Sequence, residues 1–100
     1  MAKYCVTNGN LYENGIATEM KVATGCDLRI QGVGSGEFTV MGKLTANGTA
    51  KPLAMIRMSD FQKVSSISDN EIYAGDVAGL YSITVEASGV TKVYASILSE

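Results

Sequence analysis

The chain has 100 residues, of which 46% are apolar and 18% charged, with a net charge of −2 and no histidine. One domain of this size can bury a core without disulfides or metal, and so apolar a composition argues against disorder. The missing imidazole removes the commonest general base, zinc ligand and pH switch, and the weak net charge offers nucleic acid no basic field.

No stretch is long and apolar enough to span a bilayer, and residues 1–3 lead into strand-like sequence without the apolar core of a signal peptide. Synthesis in the cytoplasm without membrane attachment is expected. Cys5 and Cys26 belong to no metal or redox motif and are expected as free thiols.

Residues 4–7 (YCVT) form a short β-type run ended by Asn8-Gly9, and Asn14-Gly15 is a second turn signal. Asn-Gly tolerates the positive φ angles of a tight hairpin turn, so residues 1–15 read as an N-terminal arm carrying a brief strand. Residues 16–24 (IATEMKVAT) set Ile16, Thr18, Met20 and Val22 against Ala17, Glu19, Lys21 and Ala23, the alternation of a strand. Residues 28–31 (LRIQ) alternate again, and residues 32–36 (GVGSG) read as a flexible hairpin tip. Phe38, Val40 and Leu44 then face one way and Thr39, Met41 and Lys43 the other, up to Asn47-Gly48. Pro52 suits the start of an edge strand over residues 53–58 (LAMIRM). Residues 60–64 can make one helical turn capped by Ser59, with Phe61, Val64 and Ile67 pinning this loop to the core.

The last third has the clearest pattern. Tyr81, Ile83 and Val85 alternate with Ser82, Thr84 and Glu86; after Ser88-Gly89, Val93, Ala95 and Ile97 alternate with Lys92, Tyr94 and Ser96. Period two on both sides of a small-residue turn reads as a β-hairpin at the centre of the domain. Laying residues 30–36 over 83–89 brings Val40 onto Val93 and Leu44 onto Ile97 at one offset, which implies two similar hairpins. Turn signals recur about every ten residues with no long helix between them. The expected fold is all-β: a single small β-sandwich over residues 1–100, jelly-roll or Ig-like, with about seven or eight short strands built from hairpins.

Chemistry finds little to work with. The cysteines and serines have no imidazole to activate them, and Glu13, Glu19, Glu37 and Glu86 fall in turns or on wet faces rather than as a paired acid and base. The oxygen-rich turn at Asp69, Asn70, Glu71 and Asp76 lacks the spacing of a calcium loop, and the glycines of residues 32–36 lack a phosphate-loop lysine and helix. Tyr73, Tyr81 and Tyr94 offer a carbohydrate-stacking platform as the alternative to plain packing roles. No enzyme activity, cofactor or metal is expected. One feature points outward: Tyr94, Leu98 and Met41 fall on faces that should be polar, and residues 53–58 are apolar on both sides. Strands greasy on both faces imply a covering partner, most simply a second copy.

Two stretches resemble a class of small β-sandwich proteins of tailed-phage particles, comprising head decoration, head-fibre and tail-adaptor proteins. Residues 28–56, LRIQGVGSGEFTVMGKLTANGTAKPLAMI, resemble the strand–Gly–strand unit of that class and the segment after it. Residues 72–98 resemble its ending, carried by Tyr73, Asp76, Val77, Gly79, Leu80, Ile83, Val85, Gly89 and Val93. Where the class often has an Asp-Gly turn followed by tryptophan, this chain has Asn47-Gly48-Thr49 and no tryptophan, so no ligand role is carried over. The resemblance implies a non-enzymatic structural component of a bacteriophage virion (capsid decoration, head-fibre or tail-associated), made in the host cytoplasm. It would contact other copies of itself and major capsid or tail proteins, not nucleic acid or membrane. The contact surface is expected at Tyr94, Leu98, Met41, Met55 and Met58, with Tyr4 and Val6 in a strand-donating arm. The alternative function is a small carbohydrate-binding module using surface tyrosines.

Overall fold

Along Lys92–Ser99 the buried residues are Val93, Ala95 and Ile97, and along Asp27–Val33 they are Leu28, Ile30 and Gly32. Every second side chain enters the core, as the pleat of a half-covered strand requires. The computed structural model describes residues 3–100. Its strands are β1 (Tyr4–Glu13), β2 (Ile16–Ala17), β3 (Met20–Lys21), β4 (Asp27–Val33), β5 (Glu37–Lys43) and β6 (Lys51–Pro52). They continue with β7 (Met55–Arg57), β8 (Lys63–Val64), β9 (Tyr73–Asp76), β10 (Ser82–Ser88) and β11 (Lys92–Ser99). A seven-stranded sheet in the order β2-β1-β11-β4-β9-β7-β8 faces a four-stranded sheet in the order β3-β10-β5-β6. Leu11, Leu28, Ile30, Phe38, Val40, Ile83, Val93 and Ile97 close the core between them. The all-β sandwich is as expected.

The central connections differ from expectation. β4 and β5 belong to different sheets, and so do β10 and β11. The glycine-rich tip and the Ser88-Gly89 turn are therefore arches that carry the chain across the sandwich, not hairpin turns within one sheet. The two arches pair with each other, β4 with β11 (Ile30 opposite Ala95) and β5 with β10 (Val40 opposite Val85). Ile30 and Ile83, and Val40 and Val93, which the sequence echo equates, are all buried. The echo ends before Leu44, which lies exposed past the end of β5, whereas Ile97 is fully buried.

Three other runs are rearranged. β1 continues through Asn8-Gly9 because β11 runs beside it, with register shifts at Cys5/Thr7 and Asn10/Tyr12 taking up the irregularity. The expected arm is thus an integral strand from Tyr4 onward, while residues 1–2 lie outside the described residues. Asn14 and Gly15, at φ 52° and 84°, make the tight turn to β2. Residues 16–24 and 53–58 each divide between the two sheets: Leu53 donates its N–H to the Val40 carbonyl at 2.8 Å, and β7 then joins the opposite sheet. This changing of sheets in mid-run, together with the short β8 and β9 that alternation does not mark, brings the described residues to eleven strands, several only two residues long, rather than seven or eight.

Residues 60–64 form no helical turn. They close a β7–β8 hairpin in which Met55 faces Val64 and Ile56 faces Lys63. Ile67 is buried and exchanges backbone hydrogen bonds of 2.9 and 2.8 Å with Phe38, and Val64 is half-buried. Phe61, expected to pin the loop, is instead 80% exposed at the hairpin tip.

Candidate interaction face

Residues directly opposite one another in a sheet share a face, so the strand registers lay out the outer surface of the large sheet. One row crosses it from Asn10 on β1 through Tyr94 on β11 to Gln31 on β4. The row continues at Ile72, whose carbonyl accepts the Met58 N–H at 2.9 Å. A second row runs through Asn8, Ser96, Arg29, Ala74 and Ile56. Tyr94, Ile72, Met58 and Ile56 are 43%, 48%, 44% and 41% exposed, so four large apolar side chains share one wet sheet face. Scattered surface apolar residues are ordinary, but a grouped set marks a contact surface.

Two adjoining depressions give this face relief. One of about 180 Å³ is lined by Arg29, Gln31, Ile72, Tyr94 and Ser96. The other, of about 400 Å³, is lined by Gln31, Met58, Asn70, Glu71 and Ile72. Gln31 and Ile72 form the saddle between them. Gln31 donates its Nε2–H to the Asn70 carbonyl at 2.8 Å. With its side-chain nitrogen turned toward β4, Asn70 donates to the carbonyls of Gly32 and Gly34 at 3.1 Å each. These bonds fasten the segment before β9 to β4, so the saddle is held from both sides.

Beneath the rim sits a polar brace. Asp69 Oδ2 accepts from the Tyr73 hydroxyl at 3.0 Å and from Arg57 Nη1 at 3.1 Å. Arg57 Nε lies 3.1 Å from Asp60 Oδ1 in the hairpin turn. Burial, and then the hydrogen bond to the Asp69 carboxylate, push the Tyr73 phenol above its ordinary pKa. Asp69 also accepts the Glu71 N–H at 3.1 Å, and Asp76 accepts the Ala78 N–H at 3.0 Å. One oxygen of each carboxylate, Oδ1, is thus spent on a turn. Among the described residues no three His, Cys, Asp or Glu side chains are grouped to hold a metal ion.

The expected contact residues are only partly brought together. Tyr94 and Met58 lie in the first row, and Leu98 sits half-buried farther along the same face, between Cys5 and Asp27. Met55 is 1% exposed, inside the core, and Met41 is 9% exposed on the other sheet between Thr84 and Pro52. Neither is open to a partner. Tyr4 is exposed and Val6 half-buried on β1, but that strand already pairs with its own β11, so it does not project as a donor. Ile72 and Ile56 were missed: Ile72 stands just before a strand, and Ile56 is only one of several apolar residues in its run. Both thiols are free, Cys5 exposed and Cys26 half-buried.

The three tyrosines make no common platform. Tyr73 is buried, Tyr81 lies beside β5 under the Lys21 ammonium, 5.2 Å from its ring centroid, and Tyr94 is on the outer face of the large sheet.

No protein-family model matches the chain, and no curated protein does. Among solved structures it is similar to the SPBc2 prophage-derived protein YomS, with 24% identity, a TM-score of 0.83, and coverage of 99% of this chain and 96% of that one. It is also similar to the PBSX exported protein XepA, with 21% identity and a TM-score of 0.83 over 99% of this chain. It spans only 39% of XepA's length. These likenesses show a shared fold.

Proposed function

We propose that this protein is a non-enzymatic structural component of a phage particle, acting through protein–protein contacts and association with its own copies. The observation that carries this reading is the grouping of Tyr94, Ile72, Met58 and Ile56 on one open sheet face. The prophage origin of YomS, whose fold matches nearly end to end, supports the phage setting. A capsid-decoration, head-fibre or tail-associated place fits equally, with major capsid or tail proteins as the neighbours and the virion as the final location.

The mechanism is mass action. A subunit that binds the assembled lattice but not its free parts stabilises the assembly by its binding free energy, and repeated weak sites multiply through avidity. The test is native mass spectrometry of the purified protein, followed by co-sedimentation with phage particles. A defined oligomer or saturable particle binding is expected. A protein that stays monomeric and never sediments with particles would remove the proposal.

A further inference from the structure

Resting on that reading, we infer that the outer face of the seven-stranded sheet docks a second copy of this chain across a two-fold axis, with Arg29 of each copy paired to Glu71 of the partner subunit. The row Tyr94–Gln31–Ile72–Met58 crosses the middle of the face. Arg29 lies on β4 two residues from Gln31, on one side of that row. Glu71 precedes Ile72 and lines the larger depression on the other side. The face therefore carries a cation and an anion flanking an apolar line.

Neither charge is answered among the described residues. Among the described residues, neither Arg29 nor Glu71 takes part in any ion pair. Among those residues the Arg29 guanidinium donates only to the Leu28 carbonyl, at 3.2 Å. Asp27, the nearest acid on the Arg29 strand, is already held by Lys3. An isologous contact must be self-complementary, because the same patch serves both partners. An axis lying in the interface along the apolar row stacks that row on its own copy and exchanges its two sides. Each Arg29 then stands over a partner's Glu71, and two cross-pairs form at once. A heterologous partner would need its own matching pattern; a second copy already has it.

The area is sufficient. Five strands, β1 through β7 in the sheet order, span about 24 Å, and three rows of outward side chains about 20 Å, close to 480 Å² per copy in projection. Two copies bury roughly 1,000 Å², the lower bound for a specific interface. The contact is one in which charge pairing decides register and the apolar row supplies the adhesion.

The experiment is sedimentation velocity on the full chain, comparing wild type with Arg29→Glu, Glu71→Arg and the double reversal. Wild type is expected to dimerise reversibly. Each single reversal sets like charges face to face and should weaken the dimer about tenfold or more, and the double reversal should restore it. Far-ultraviolet spectra and melting curves check that each variant folds. If either reversal does not fold, Ile72→Asp in the apolar row must dissociate the dimer instead. A dimer indifferent to single reversals, a lack of rescue by the double, or a monomeric wild type overturns the inference. A monomer, or an oligomer built otherwise, that still binds phage particles sinks this interface alone; a protein that binds neither itself nor particles sinks the functional reading as well.

Discussion

Gly36 and Gly89, which the sequence echo equates, touch each other where the two arches cross. A Cβ on Gly36 would stand 2.7 Å from the Gly89 Cα and against the Ser88 carbonyl, and one on Gly89 would stand 3.2 Å from the Gly36 Cα and the Ser35 carbonyl. The contact is reciprocal, residue for equivalent residue, as it would be at a local two-fold between the β4–β5 and β10–β11 units. Both glycines also have positive φ, 111° and 88°.

Gly36→Ala should therefore be costly for two reasons, left-handed strain and backbone collision. We expect a loss of about 2–4 kcal/mol by urea unfolding, with an unchanged m-value. Gly15→Ala separates the two effects: it has φ 84° but nothing within 4 Å of its Cβ position, so only the strain of about 1 kcal/mol should appear. Equal losses at both sites would show that the arches do not press together.

Phe61 occupies a left-handed position, φ 60°, at the tip of the β7–β8 hairpin while 80% exposed. An aromatic side chain gains little there and disfavours that backbone, whereas asparagine tolerates it. Phe61→Asn should stabilise the fold by about 1 kcal/mol, raising the melting temperature by roughly 4–8 °C. A lower melting temperature would mean that the ring packs on something the exposed hairpin conceals.

The Tyr73–Asp69–Arg57 brace predicts unequal single mutants. Tyr73→Phe removes one hydrogen bond and leaves Asp69 paired with Arg57, costing about 1 kcal/mol. Asp69→Ala strands the buried phenol, while Arg57 keeps its second carboxylate, Asp60; the change should cost about 2–3 kcal/mol. The double mutant should cost less than the sum, because each single change removes the same Tyr73–Asp69 hydrogen bond. Strict additivity in chemical denaturation would contradict the Tyr73–Asp69 hydrogen bond.

Glu13 and Lys92 face each other across β1 and β11 and form an ion pair at 3.1 Å. The hydrogen bond from Lys92, then that from Asn10, holds the Glu13 carboxyl below its ordinary pKa. A depressed carboxylate favours the fold at neutral pH, and that contribution is lost as pH falls through the carboxylate range to the folded value. The Lys92 ammonium is raised, chiefly by its hydrogen bond with Glu13; its share persists through neutrality and is lost as pH rises through its folded value. Carbon-detected titration of Glu13 should show a midpoint that moves upward in Lys92→Met. No movement would mean the pair is absent in solution.

The faces of the main strands were readable from the chain alone. Alternation sets Ile30, Val40, Ile83, Val85, Val93, Ala95 and Ile97 on the apolar sides of their runs, and all are buried; it sets Leu44 with Val40 as well, and Leu44 is exposed. Asn14-Gly15 announced its turn because the chemistry of positive φ is local. The period of two says which side of a strand is apolar, but not which sheet the strand joins. A short glycine-containing tip serves a hairpin or an arch equally well, so only the packed structure decided that β4–β5 and β10–β11 cross the sandwich. The same limit governs the contact residues. Met55 and Met58 sit in one apolar run, yet the first is in the core and the second lies beside Ile72 in the open row. Covering a methionine takes neighbours from distant parts of the chain, and no local pattern records who they are.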